Sequence, residues 1–151
     1  MAAGPAVRLA RPDEREALIE LQRRASLIWE EDRPFLLAHP DVIDVPLSQI
    51  EQGGVYVCET DGAVVGFGVV LARGDGSAEL DGLFVEPRVW GQGHGRRLAA
   101  YGEGLARAMG AVSLNVAANK RALGFYEAIG FRIVGEVETQ LNPGVAMVKP
   151  L

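Results

Sequence analysis

The stretch from Val55 to Val85 constrains this chain more than any other. Two apolar runs, Val55 to Glu59 and Val64 to Leu71, are separated by Thr60-Asp61-Gly62-Ala63. Asp-Gly between such runs signals a hairpin, because a tight two-residue turn needs positive φ and these residues tolerate it. Arg73-Gly74-Asp75-Gly76-Ser77 is a second turn, leading into a third strand that ends in Leu83-Phe84-Val85. Three consecutive strands joined by short turns must be antiparallel, since a parallel pair needs a crossover of about a dozen residues or more. A doubly wound dinucleotide fold, with helices between its strands, is therefore disfavoured.

Pro87 stops the third strand, because proline cannot donate to a ladder. Trp90-Gly91-Gln92-Gly93-His94-Gly95-Arg96-Arg97-Leu98 follows. Gly91, Gly93 and Gly95 are expected to take backbone conformations barred to other residues and to let the chain approach a ligand closely. A helix is expected from about Gln92. Its first N–H groups lack intrahelical partners and carry the positive end of the macrodipole. Such a terminus binds phosphate or pyrophosphate, and Arg96 and Arg97 add formal charge beside it. The bland alternative is an ordinary turn, since a lone glycine-rich turn is a weak signal.

The rest of the chain supplies helices and further strands. Val7 to Arg11 reads as a short strand. Pro12 and Asp13 then open a helix, with Asp13 as N-cap and Glu16 completing a capping box. Leu18, Leu21, Ala25 and Ile28 share one helical face. Trp29 ends that helix beside Glu30, Glu31 and Asp32. These acids could meet a cationic substrate, although a charge run is more often a solvated loop. Pro34, Pro40 and Pro46 break residues 33–52 into short helical pieces forming a cover, with Phe35, Leu36 and Leu37 expected to be buried. His39 stands alone there, without the spacing of a metal or catalytic site. The helix after the glycine turn is expected to reach Met109, with Leu98, Tyr101, Leu105 and Ala108 or Met109 on one face. Gly110 would cap it, and Gly102 and Gly104 inside it suggest close packing on the sheet. Val112 to Val116 is a strand. Asn119 caps a second helix carrying Leu123, Phe125, Tyr126 and Ile129, stopped by Gly130. Phe131 to Glu138 is a strand, Asn142-Pro143-Gly144 a turn, and Val145 to Val148 the last strand. The pattern is mixed α/β with one strand–helix–strand crossover.

Composition narrows the functional classes. Apolar residues at 48% and charged residues at 23% are globular values, and 151 residues suit one domain, taken as 1–151. A net charge of −5 argues against nucleic acid or an anionic membrane as partner. No apolar run approaches a membrane span, and no signal-peptide pattern is visible. The single Cys58 excludes an intramolecular disulfide, so a reducing, cytoplasmic setting is the default. No metal site is expected.

Two runs together resemble a known family. Leu83-Phe84-Val85-x-Pro87-x-x-Trp90-Gly91-Gln92-Gly93-His94-Gly95-Arg96-Arg97-Leu98 is similar to the acetyl-CoA motif of the GCN5-related N-acetyltransferases. So is Leu114-Asn115-Val116-x-x-Asn119-x-x-Ala122-x-x-Phe125-Tyr126-x-x-x-Gly130-Phe131. The resemblance is anchored from Glu79 to Val134 and extends plausibly over the full chain. It implies a central mixed, mostly antiparallel sheet, splayed at the acetyl-CoA site and flanked by helices. The cofactor it implies is acetyl-CoA (coenzyme A), held along Leu83, Phe84 and Val85 and around Gly91. Backbone groups of Phe84 and Val85 would pair with the pantetheine arm. The amides of Gln92, Gly93, His94, Gly95 and Arg96 would hold the pyrophosphate, with Arg97 beside them. Asn119 would hydrogen-bond the cofactor arm, and Tyr126 would protonate the departing thiolate. Trp90 is a departure, because the family usually has Arg or Gln there.

The implied reaction is acetyl transfer to a primary amine of a small molecule or peptide, by direct attack in a ternary complex. An amine attacks only when neutral, so a base is needed. Glu79 and Asp81 share one strand face by alternation. Glu79 is the first choice, Asp81 the second, and a water chain the third. A homodimer is compatible with the fold. The rival reading is an acyl-CoA-sensing module of the same fold without turnover. Residues 27–50 and 136–145 are expected to shape the acceptor pocket.

Overall fold

The computed structural model describes residues 4–139 and 143–151. The expected turn residue Asn142, and part of the 136–145 segment, lie outside the described residues. The chain follows the expected order of elements. Strand β1 (Ala6–Leu9) leads to helices α1 (Arg15–Leu27), α2 (Arg33–Ala38) and α3 (Leu47–Glu51). Strands β2 (Val55–Thr60), β3 (Ala63–Ala72) and β4 (Ala78–Val85) follow, then α4 (His94–Ala108) and β5 (Ser113–Ala118). Helix α5 (Leu123–Ala128) and strands β6 (Arg132–Val137) and β7 (Gly144–Pro150) complete it. The strands hydrogen-bond in the order β1-β2-β3-β4-β5-β7-β6. The β4–β5 pair is parallel, whereas β1–β2, β2–β3, β5–β7 and β6–β7 are antiparallel. The result is a mixed α/β fold with a mostly antiparallel sheet flanked by helices. No described helix is long and apolar enough to cross a membrane.

The chain divides into two compact units. One is the chain up to Val69 with Gly82–Tyr101, the other Val70–Asp81 with Gly102–Leu151. In the first, the Asp61-Gly62 turn forms as expected, with φ of 52° and 79°, and Thr60 pairs with Ala63. Val55 to Cys58 and Val65 to Val70 are buried on both faces, which explains their unbroken apolar runs. Tyr56 pairs with Gly68, and its ring lies over that glycine: a Cβ there would stand 2.5 Å from the phenol. Gly66 serves the same purpose for α4, because its Cβ would meet Leu98 Cδ1 at 3.0 Å. Helix α1 buries Leu18, Ile19, Leu21 and Ala25. Ile28, expected on that face, is exposed beyond the helix end. Leu37 is also exposed, so of Phe35, Leu36 and Leu37 only Leu36 is fully buried.

The start of α1 differs from the expected capping box on Asp13. A 3₁₀ turn, Pro12–Glu14, precedes the helix. The Glu14 carboxylate accepts from the Arg11 amide at 2.8 Å and from Arg8 Nη1 at 3.0 Å. Glu14 wins over Asp13 because it is also paired with a strand residue, Arg8.

In the second unit, β5 and β7 register over Ser113 to Ala118. Helix α4 closes with Gly110 at φ 84°, the Ala111 amide bonding to the Ala106 carbonyl and that of Gly110 to Arg107. This Schellman ending explains the sharp stop. Met109, expected on the packed face, is 40% exposed. Gly104 also departs from expectation: it is exposed, and a Cβ there would meet nothing within 4 Å. The two glycines therefore predict opposite outcomes in a denaturation experiment. Gly104→Ala raises stability by about 1 kcal/mol through helix propensity. Gly68→Ala lowers it by about 1–3 kcal/mol through overpacking against Tyr56.

Candidate active site

Within the first unit, the glycine turn delivers backbone donors to one spot. A 3₁₀ turn at Pro87–Val89 ends β4's extension, and Gly91 and Gly93 follow with φ of 81° and 86°. Gly95 lies inside the helix, so its expected left-handed conformation is not what the turn uses. Helix α4 starts at His94, later than the expected Gln92, because Gly93 still has positive φ. The first helical bond runs from the Arg97 amide to the Gly93 carbonyl at 3.2 Å. The amides of His94, Gly95 and Arg96 precede it and have no intrahelical acceptor. They open a helix of 15 residues, and a helix start of this kind suits an anion.

His94 and Arg97 are placed differently from a surface loop. The His94 ring is buried, with Nδ1 3.2 Å from Arg97 Nη1 and 3.6 Å from Cys58 Sγ. A guanidinium only donates, so Nδ1 accepts and the ring proton is assigned to Nε2. Nε2 has no partner among the described residues. Burial, then the Arg97 charge, push the His94 pKa down, and burial pushes the Cys58 thiol up. His94 is thus a neutral, packed side chain whose backbone amide faces the terminus. Arg97 Nη1 also donates to the Gln92 carbonyl at 3.1 Å, bracing the turn. Arg96 is exposed.

The end of β4 adds a second feature. The Glu86 amide donates to the Val65 carbonyl at 2.8 Å. Backbone groups alternate sides along a strand, so Phe84 faces β3 with Glu86, while Leu83 and Val85 face away. The Phe84 ring lies 5.2 Å from Phe67. The Val85 carbonyl accepts the Trp90 indole N–H at 2.8 Å. Trp90 in turn stacks on Trp29, with centroids 5.6 Å apart and planes at 17°. Arg24 donates to both oxygens of Glu86 at 2.6–3.2 Å. That bond, more than Coulomb attraction, holds the Glu86 carboxyl below its usual range.

In the second unit, Glu79 and Asp81 share the open face of β4, opposite buried Ala78 and Leu80. Glu79 registers with Asn115, whose Nδ2 donates to the Ala78 carbonyl at 3.1 Å. Desolvation pushes the Asp81 carboxyl up. Asn119 caps the turn before α5, its Oδ1 accepting from the Ala122 amide at 3.0 Å. That leaves Nδ2 as the group the cap does not use. Tyr126 is 7% exposed and packs edge-on against Phe125 and Phe131 at 5.1 and 5.3 Å. The Phe131 amide bonds to the Tyr126 carbonyl and that of Gly130 to Glu127, so the Schellman turn itself brings Phe131 onto the tyrosine ring. Burial pushes the Tyr126 phenol up to about 12, keeping it protonated. Lys149 braces this turn, donating to Ile129 O and Glu103 Oε1, each at 2.7 Å.

Arg24–Glu86, Trp29–Trp90 and Lys149–Glu103 escape a reading of the sequence, because each joins residues more than 40 positions apart. No motif spacing marks such pairs. Among the described residues, no cluster of His, Cys, Asp and Glu could hold a metal.

Comparison with known proteins places this geometry. The sequence profile of the acetyltransferase (GNAT) family matches residues 16–131. YjaB, a peptidyl-lysine N-acetyltransferase of Salmonella typhimurium, is 31% identical over 134 residues, covering 87% of this chain and 86% of its own. A GCN5-related N-acetyltransferase structure from Rhodopseudomonas palustris has a TM-score of 0.81 at 21% identity, covering 100% and 98% of the two chains. The PaiA N-acetyltransferase of Thermoplasma acidophilum, solved with coenzyme A, gives 0.79 at 17% identity, covering 99% and 100%. With the fold, the glycine turn and the matched profile in agreement, the chain belongs to the acetyltransferase (GNAT) family and is an acetyl-CoA-dependent acetyltransferase.

Proposed function

We propose that this acetyltransferase moves the acetyl group of acetyl-CoA to a primary amine, by direct attack while both substrates are bound. The observation that carries the donor half is the row of unsatisfied amides from His94 to Arg96 behind two left-handed glycines. Those amides, with Gln92 and Gly93, hold the pyrophosphate in this reading. The outward backbone groups of Leu83 and Val85 take the pantetheine arm as an added strand would be taken. Asn119 Nδ2 donates to the same arm. The likeness to YjaB makes a peptide lysine the first acceptor to test.

The chemistry then assigns three side chains. Glu79 removes the ammonium proton, directly or through water, and the free amine attacks the thioester carbonyl. Collapse of the tetrahedral intermediate expels coenzyme A thiolate, which takes its proton from Tyr126, and the second proton shed by the nitrogen returns the phenolate to phenol through water. A second reading gives the base role to Asp81, which shares the open face of β4 with Glu79 and is the more exposed of the two. A solvent-facing protein of this type with a reducing setting acts in the cytoplasm in this reading, and a homodimer is compatible with it.

Thiol release from acetyl-CoA with lysine peptides, polyamines and amino acids as acceptors tests the reaction. Release with no amine of the panel would remove amine transfer. Tyr126→Phe is expected to lower kcat by about tenfold or more with acetyl-CoA affinity kept; unchanged kcat takes Tyr126 out of the chemistry. Glu79→Gln is expected to move the acidic limb of the kcat/KM pH profile toward alkaline pH, because the amine must then lose its proton to solvent. If only Asp81→Asn moves that limb, the second reading replaces the first.

A further inference from the structure

Trp90 sits where three local constraints meet, and each is visible within one compact unit. Its amide donates to the Pro87 carbonyl at 3.2 Å, closing the 3₁₀ turn after β4. Its indole N–H reaches back to the Val85 carbonyl at 2.8 Å. Its ring lies nearly parallel to that of Trp29, the other tryptophan of the chain. Gly91, the first left-handed glycine, comes next. The side chain is 42% exposed, so burial in a core is not what holds it there.

Val85 is the last residue of β4, and its backbone faces away from β3. Strand ends fray unless tied. Here the outward carbonyl is held by a side chain from the very turn that begins the anion site. Holding it also fixes the peptide plane between Val85 and Glu86, whose N–H donates to the Val65 carbonyl on the opposite side, so the strand end is pinned from both edges. Trp29 supports the indole from the segment between α1 and α2, where its own carbonyl accepts from the amides of Asp32 and Arg33 at 3.2 Å each. The Arg24–Glu86 pair ties the same helix to the next residue of the chain. The indole is therefore oriented from two sides.

We propose that Trp90 is a positioning residue for the donor substrate: through Val85 it sets the strand edge that receives the pantetheine arm, and Trp29 buttresses it. The inference rests on the donor-site reading given above and deepens it. Preorganising that edge lowers the ordering cost of binding the flexible arm. The effect is confined to ligands that possess the arm, because the pyrophosphate donors lie beyond Gly91 on the helix terminus.

Calorimetry with two ligands separates these possibilities. Coenzyme A carries the arm; 3′-phospho-ADP carries the same nucleotide and pyrophosphate without it. Trp90→Phe is expected to weaken coenzyme A by about fivefold or more and to leave 3′-phospho-ADP unchanged, on the scale of one lost hydrogen bond. Trp29→Phe, which retains the indole N–H, is expected to weaken coenzyme A less. Equal weakening of both ligands in Trp90→Phe, or no weakening of either, overturns the proposal. Should Trp90→Phe fail to fold, benzothienylalanine at position 90 keeps the ring shape and stack but lacks the N–H, and the same pair of titrations decides. A wild-type protein that binds neither ligand overturns the donor-site reading itself, and this proposal with it.

Discussion

The start of α4 is set by one constraint: its first backbone amides have no acceptor within the helix. Two left-handed glycines make this arrangement affordable in conformational terms. Gly91 and Gly93 turn the chain from the end of β4 into the helix within a few residues, using φ values that any β-carbon would resist. The helix then presents His94, Gly95 and Arg96 with their N–H groups unpaired. A helix start of this kind offers unpaired N–H groups and the positive end of the dipole to an anion.

Around that turn, polar and aromatic side chains serve mainly to hold backbone in place. Arg97 braces the Gln92 carbonyl and the His94 ring. Trp90 holds the Val85 carbonyl, and Arg24 grips the Glu86 carboxylate in a bidentate pair. The last of these involves a carboxylate with little exposure, and charge-assisted bonds of that geometry are among the stronger ones. The protein thus spends its side chains on fixing main-chain direction, as a site built from amides requires. In the other unit the same logic recurs, with Lys149 and Phe131 fixing the turn that carries Tyr126.

Much of the fold is readable because local rules decide it. Asp61-Gly62 forms its hairpin, Gly110 and Gly130 end their helices, and Asn119 caps the turn before α5, all as residue type and spacing imply. The failures have a common cause. Glu14 displaces Asp13 as the capping acid because its carboxylate also pairs with Arg8 of β1. Gly104, whose place inside the helix suggests close packing, faces open space. In each case a long-range contact, or its absence, overrode a pattern that looks sufficient over a short window.

The sequence by itself determined the antiparallel start of the sheet, the glycine turn and the presence of a helix terminus beyond it. Turn geometry and glycine φ are properties of a few adjacent residues, so they survive without knowledge of the rest. Only the tertiary structure decided that His94 is buried beside Cys58, that Arg24 pairs with Glu86, and that Trp90 meets Trp29. Those facts depend on which distant surfaces touch. Burial and pairing across the chain are set by the packing of whole elements, and no spacing rule along the sequence encodes them.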